Sequence, residues 1–260
     1  MILSLRRKLK NTDFDLKALK QSWFHQPLNV VHCGAHLAQE AAQYQDLGFM
    51  SVLWIEASSQ FANEASEIVK EFLNQKVIQA ALWNLSGVHL DLRIASNGAS
   101  SSLRGFAEHA TFFPKIEMIG VERVVTTTLD DILADVHSGG LLVLDLQGVE
   151  LQVLQGAEAS LEKFQFVICE VSTREMYSGQ NNWGEVSDEL IRNGFSLVDW
   201  TFDPIFGYGN ALYSRSTNHM MLFRMLRKAI TLFNALLFSV QRRYFLNKEN
   251  FRKNQVGEHR

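Results

Sequence analysis

Three carboxylates and one glycine–glutamate pair carry the chemistry open to this chain. Asp145 closes the apolar run Leu141–Leu144, Glu150 follows five positions on, and Glu170 closes a second run, Phe166–Cys169. Gly34 ends an earlier run, Asn29–Cys33, and Glu56 ends another, Val52–Ile55, 22 positions after that glycine. An acid about 20 residues after a glycine turn is where nucleotide-binding α/β folds grip a ribose diol. Asp145, in the crevice beyond a strand's carboxyl end, could orient a hydroxyl and accept its proton during group transfer. The competing role is a helix N-cap, for which Asp is well suited. Glu150 lies one turn into the next helix, where the dipole alone favours an acid. No His or Asp spacing specifies an ion for these acids, so no metal is assigned.

The elements that must position these residues follow from the apolar spacing. Runs such as Leu141–Leu144, with no polar alternation, read as strands buried on both faces of a parallel sheet. Strands are expected at Asn29–Cys33, Val52–Ile55, Lys76–Leu82, Leu141–Leu144 and Phe166–Cys169, with helices to Asp46, at Phe61–Leu73, from Leu151 and at Glu185–Arg192. Val88–Ile94 alternates like an edge strand, Val124–Thr128 extends, and Leu129–Val136 reads as helical. Two late strands, Ser196–Trp200 and Ala211–Ser214, have no helix between them, which predicts an antiparallel hairpin at the sheet edge. Alternation of strand and helix from about residue 29 to 200 is the pattern of a doubly wound α/β fold. Three segments are expected: a basic amphipathic helical extension at 1–24, the α/β domain at 25–218, and a basic amphipathic helix with its tail at 219–260.

Composition narrows the partners. The net charge is −3, but the ends are basic and the middle is not. Six Lys/Arg face two acids in residues 1–20, and nine face two in 219–260, which leaves ten basic against 24 acidic residues between them. An acidic body does not attract phosphate backbones, so no nucleic acid is expected. Cys33 and Cys169 make neither a disulfide framework nor a zinc cluster and read as buried small residues, which favours a reducing, cytoplasmic setting. No signal peptide is visible. The C-terminal stretch Met220–Leu246 opposes a polar stripe to Phe223, Leu226, Ile230 and Phe233. Its least polar run, Ala229–Val240, is too short to span a bilayer, so it either lies on an anionic inner-membrane surface or packs on the body or on a twin subunit.

The glycine loop discriminates between nucleotides. A dinucleotide fingerprint needs three glycines, whereas here the loop is Gly34-Ala35-His36-Leu37-Ala38-Gln39. His36 stands where a pyrophosphate would approach the backbone, which argues against NAD or FAD. S-adenosylmethionine has no phosphates and needs one close backbone approach, a ribose acceptor and a carboxylate site. His36, Glu40 and Tyr44 fall at helical spacing and would share one face, either lining an acceptor pocket or facing solvent. His32, inside a buried strand, reads as a hydrogen-bonded core histidine, and Ser100–Ser102 as either ligand contacts or turn residues.

Several blocks together resemble the FkbM family of S-adenosylmethionine-dependent methyltransferases. They are His32-Cys-Gly-Ala-His36 with Gln39, Trp54-Ile-Glu56-Ala57, Ala81-Leu82, Ser100–Ser102 and Thr128-Leu129-Asp130. The most specific is Asp145-Leu-Gln-Gly-Val-Glu150 with Val153-Leu-Gln-Gly-Ala157, followed by Glu170. The resemblance spans roughly residues 28–215 and departs from the family's commonest pattern at His32 and His36. It implies a class I methyltransferase fold, Rossmann-like, with a mostly parallel seven-stranded sheet. It also implies S-adenosyl-L-methionine as cofactor and methylation of a hydroxyl on a glycan or glycosylated small molecule. On this reading Gly34, Ala35, His36, Glu56, Ala57 and Ala81 contact the cofactor, and Asp145, Glu150 and Glu170 serve catalysis. Two alternatives stand beside it: a non-catalytic module docking a partner or membrane through its basic ends, and a nucleotide-dependent oxidoreductase. Aromatic residues of the loops 97–122 and 173–186 (Phe106, Phe112, Phe113, Tyr177, Trp183) either stack on a sugar or close the core.

Overall fold

The computed structural model describes residues 14–22, 24, 28–135 and 140–215. In chain order these form α1 (Leu16–Ser22), β1 (Asn29–Cys33), α2 (Ala41–Asp46), β2 (Ser51–Glu56), α3 (Ser59–Val69) and β3 (Gln75–Gln79). Next come β4 (Ala81–Leu82), β5 (His89–Ala95), α4 (His109–Phe112), β6 (Met118–Thr127), α5 (Leu129–Ile132) and β7 (Gly140–Leu144). The rest are α6 (Glu150–Gln155), a 3-10 turn at Ser160–Lys163, β8 (Phe166–Ser172), α7 (Trp183–Arg192), β9 (Ser196–Asp203) and β10 (Tyr208–Ser214).

Seven strands make one sheet in the order β3-β2-β1-β7-β8-β10-β9. β1 pairs parallel with both β2 and β7, and β7 pairs parallel with β8. β10 runs antiparallel between β8 and β9, so the late hairpin closes the edge as expected. The order turns back on itself between β1 and β7, which is the switch point where open α/β sheets bind ligands. This is the class I methyltransferase fold that the resemblance implies. Every residue of β7 is buried, and β1 is buried from Val30 on, as unbroken apolar runs require in a parallel sheet covered on both faces. Val30, Trp54, Leu141, Ile168 and Leu212 carry the core across five strands.

The structure corrects several boundaries. The expected strand Lys76–Leu82 is two: β3 stays in the main sheet, while β4 leaves it to pair with β6 in a second sheet of order β4-β6-β5. The helix expected at Leu129–Val136 is one turn, capped by Thr128 on the backbone N–H of Asp131. α7 begins two residues earlier than expected because Asn182 and Glu185 form a reciprocal capping box. His36, Glu40 and Tyr44 do not share a helix face, because α2 begins only at Ala41. His36 instead sits in a turn at φ +45°, and Tyr44 is buried. Most of the expected N-terminal helix and all of 219–260 lie outside the described residues, and among these no helix is long and apolar enough to cross a membrane.

Candidate active site

The first cavity opens at the switch point. It has a volume of about 340 Å³, and its wall includes Gly34, Ala35, His36, Glu56, Ala57 and Asp145. Backbone bonds hold the strand ends together: the N–H groups of Gly34 and Ala35 donate to the carbonyl of Ile55 at 2.9 and 3.0 Å, and that of Asp145 donates to Cys33 at 3.0 Å. Gly34 takes φ +87°, and a Cβ there would lie 1.8 Å from the carbonyl oxygen of Asp145. Glycine is therefore demanded by the close approach of two chain segments as well as by the left-handed backbone.

Glu56 is nearly buried at the floor of this cavity. Its Oε2 accepts the backbone N–H of His36 at 2.7 Å and its Oε1 that of Ser58 at 2.9 Å. Burial raises its carboxyl above the ordinary value, and the backbone donors pull the other way. Each oxygen keeps acceptor capacity for a further donor. The ring of His36 packs edge-on against Phe61 and meets Gln39 at 2.8 Å, which leaves its backbone N–H turned to Glu56. His32, also on the wall, is the hydrogen-bonded core residue expected from the sequence. Its Nδ1 meets the Tyr44 hydroxyl at 3.1 Å, its ring stacks on Trp54, and burial lowers its pKa to about 3, so it is neutral.

The loop after β7 turns sharply, with Gln147 at φ +54° and Gly148 at φ +100°. Oε1 of Glu150 accepts the backbone N–H groups of Leu146 at 3.0 Å and Gly148 at 3.1 Å, and burial raises its carboxyl. The Ser102 hydroxyl donates to the carbonyl of Gln147 at 2.7 Å. Held this way, the Gln147 side chain points its Nε2 at two acids, Asp145 Oδ1 at 2.5 Å and Glu170 Oε2 at 3.1 Å. Its Oε1 accepts the Tyr177 hydroxyl at 2.5 Å. A Cβ on Gly148 would lie 2.9 Å from Cβ of Tyr177, so glycine there lets the tyrosine approach.

A second cavity of about 270 Å³ adjoins the first, lined by Glu170, Ser172, Phe113, Tyr177, Gln180 and Tyr208 among others. Gln147 and Ala99 belong to both walls. Asp145 thus faces the first cavity, Glu170 the second, and Gln147 stands between them.

The structure brings Gly34, Ala35, His36, Glu56, Ala57 and Asp145 together on one wall, and joins Glu170 to them through Gln147. Two expected residues lie elsewhere. Ala81 is buried in β4, and its neighbours Ala80 and Leu82 reach the first cavity in its place. Glu150, expected among the catalytic acids, is buried under the β7 loop and touches neither cavity wall, because its carboxylate is turned inward onto backbone donors. Gln147 was missed although it lies two residues past Asp145, since an amide carries no titration signal. Tyr208 had no sequence signal at all. Of the aromatic loop residues, Phe113 and Tyr177 face the second cavity, while Trp183 is buried and donates to the Tyr213 hydroxyl at 2.9 Å.

Comparison with known proteins gives the family. The "Methyltransferase FkbM domain" profile matches residues 32–197, more than half of the chain. Over 83 residues the chain is 32% identical to 2-O-methyltransferase NoeI of Sinorhizobium fredii (strain NBRC 101917 / NGR234). That match spans 31% of this chain and about a third (34%) of the relative's length. Among solved structures, magnesium protoporphyrin IX methyltransferase (ChlM) from Synechocystis PCC 6803 with bound SAM aligns at 12% identity and a TM-score of 0.47, covering 80% of each chain. Ribosomal protein L11 methylase from Lactobacillus delbrueckii subsp. bulgaricus aligns at 14% identity and a TM-score of 0.42, covering 77% of each. The chain belongs to the FkbM methyltransferase family.

Proposed function

We propose that this protein is an O-methyltransferase acting on a hydroxyl of a glycan or glycosylated small molecule. The observation that carries the reading is the junction of the two cavities, where one amide, Gln147, joins Asp145 on the donor side to Glu170 on the other. S-adenosylmethionine fits the first cavity by chemistry. Glu56 offers a buried carboxylate to a ribose diol, and Phe61, Leu82, Leu92 and Leu103 offer apolar surface to a base. A volume near 340 Å³ lies within the range of small-molecule sites. When bound there, the cofactor supplies an electrophilic methyl group.

The remaining work falls to the chain's own residues. Glu56 holds the ribose, and the Gly34 turn lets backbone come close to the ligand. The acceptor hydroxyl reaches Asp145 from the second cavity, and alignment of oxygen with methyl provides most of the acceleration. When the acceptor oxygen takes the methyl group, with the methyl carbon–sulfur bond breaking to leave a neutral thioether, the Asp145 carboxylate would accept the hydroxyl proton. Glu150 acts at one remove, fixing the loop that presents Asp145 and Gln147. The similarity to a 2-O-methyltransferase supports oxygen as the acceptor atom.

The test is Asp145→Asn. Affinity for S-adenosylhomocysteine should stay within about threefold of the parent, while labelled methyl transfer falls at least 100-fold, within the range general-base removal gives. Undiminished transfer in that variant removes Asp145 from the mechanism.

A further inference from the structure

We propose that the second cavity binds a single sugar ring through two adjacent hydroxyls: one reaches Asp145 across the junction with the first cavity and is methylated, and its ring neighbour is held by Glu170. This rests on the acceptor reading above and adds a requirement to it, that the substrate present a vicinal diol.

Three observations carry the inference. The first is spacing. Asp145 Oδ1 and Glu170 Oε2 both accept from the same Nε2 of Gln147. Two oxygens forked on one amide nitrogen stand about 5 Å apart. Neighbouring hydroxyl oxygens on a ring, about 3 Å apart and each donating outward over about 2.7 Å, bridge that gap. A lone alcohol answers only one of the two acids.

The second observation is orientation. Tyr177 donates its hydroxyl to Gln147 Oε1, and burial raises that phenol, so it remains a donor. Turning the amide over would set its oxygen against both acids, so Nε2 stays directed at the junction with its two hydrogens committed to Asp145 and Glu170. The third is the shape and lining of the chamber. At about 270 Å³ it lies just below the usual range of ligand pockets, enough for one ring and not for a chain of rings. Phe113, Tyr177 and Tyr208 offer aromatic faces to ring carbons, and Ser172 and Gln180 offer polar edges to hydroxyls.

The experiment uses the full chain and a panel of nitrophenyl hexosides and 6-deoxyhexosides, each with its monodeoxy analogues at the positions flanking the methylated carbon. Labelled transfer gives the parent-to-deoxy ratio of kcat/KM, and NMR titration of the cofactor-free protein gives the same ratio as binding. A hydrogen bond to a charged group predicts a ratio of roughly 10 to 100. In Glu170→Ala the ratio should collapse toward one, with Glu170→Gln as the second variant should alanine not fold. Flanking deoxy analogues that all bind and react as well as their parent overturn the diol requirement and leave the acceptor reading standing. Failure of every sugar to bind or react overturns both, while leaving cofactor binding untouched.

Discussion

Replacing Glu56 by glutamine tests the donor site with the smallest change in shape. The carboxylate takes one backbone N–H on each oxygen, from His36 and from Ser58. An amide can answer one of these and must set its NH2 against the other. A buried N–H left without an acceptor costs about 1–3 kcal/mol, which corresponds to about 2–10 °C in melting temperature at this chain length. Cofactor affinity falls for a separate reason. Two ribose hydroxyls bonded to a charged acceptor become bonded to a neutral one or lose their partner, a loss of roughly 1–1.5 kcal/mol each. The sum, about 2–3 kcal/mol, predicts a 30- to 150-fold weaker Kd for S-adenosylhomocysteine. Calorimetric titration reads the affinity and thermal unfolding reads the stability. The parent should also bind less tightly as pH falls toward the raised Glu56 value, because binding needs the ionised form; the variant should lack that dependence. A lowered melting point with an unaltered Kd would refute the argument and leave Glu56 a purely structural acid.

Three further outcomes follow from the same geometry. Gly34→Ala must both hold a left-handed backbone and displace the carbonyl of Asp145, so it should cost more than the ~1–3 kcal/mol of the strain alone, read as a fall in melting temperature with loss of S-adenosylhomocysteine binding. His32 has a folded pKa near 3 against 6.5 when free, so the unfolded chain takes up a proton below pH 6.5 that the folded one refuses. Stability from this group is complete above that pH and drops as pH falls, by about 1.4 kcal/mol between pH 7.5 and 5.5; urea titrations should lose that share of the slope in His32→Gln, and an unchanged slope sinks the assignment. Gln147→Glu sets a third carboxylate beside Asp145 and Glu170, with Tyr177 as the one hydroxyl donor to it and Glu150 buried beneath the loop. Transfer should then be suppressed at neutral pH and recover as pH is lowered and the new acid becomes a neutral donor, while a pH profile parallel to the parent's contradicts the role of the amide.

The sequence by itself determined the sheet and the strand ends. Apolar runs without alternation are satisfied by strands covered on both faces, and the residues that end them, Gly34, Glu56, Asp145 and Glu170, fall toward the carboxyl edge, although β8 runs on two residues past Glu170. The 22-residue interval from Gly34 to Glu56 is a local property of one strand–helix–strand unit, so counting sufficed to place both on one cavity. Tertiary structure alone decided what those residues face. Glu150 and Asp145 are five residues apart and chemically alike, yet one is turned inward onto backbone N–H groups and the other faces the first cavity. The difference lies in a turn whose left-handed backbone at Gln147 is held by Ser102, 45 residues away. Tyr177 reaches the same amide from a loop after β8. Contacts of that range leave no period or spacing in the chain, because their partners are brought together by packing of whole elements, and that is why the bridge of Asp145, Gln147 and Glu170 emerged only once the fold was in hand.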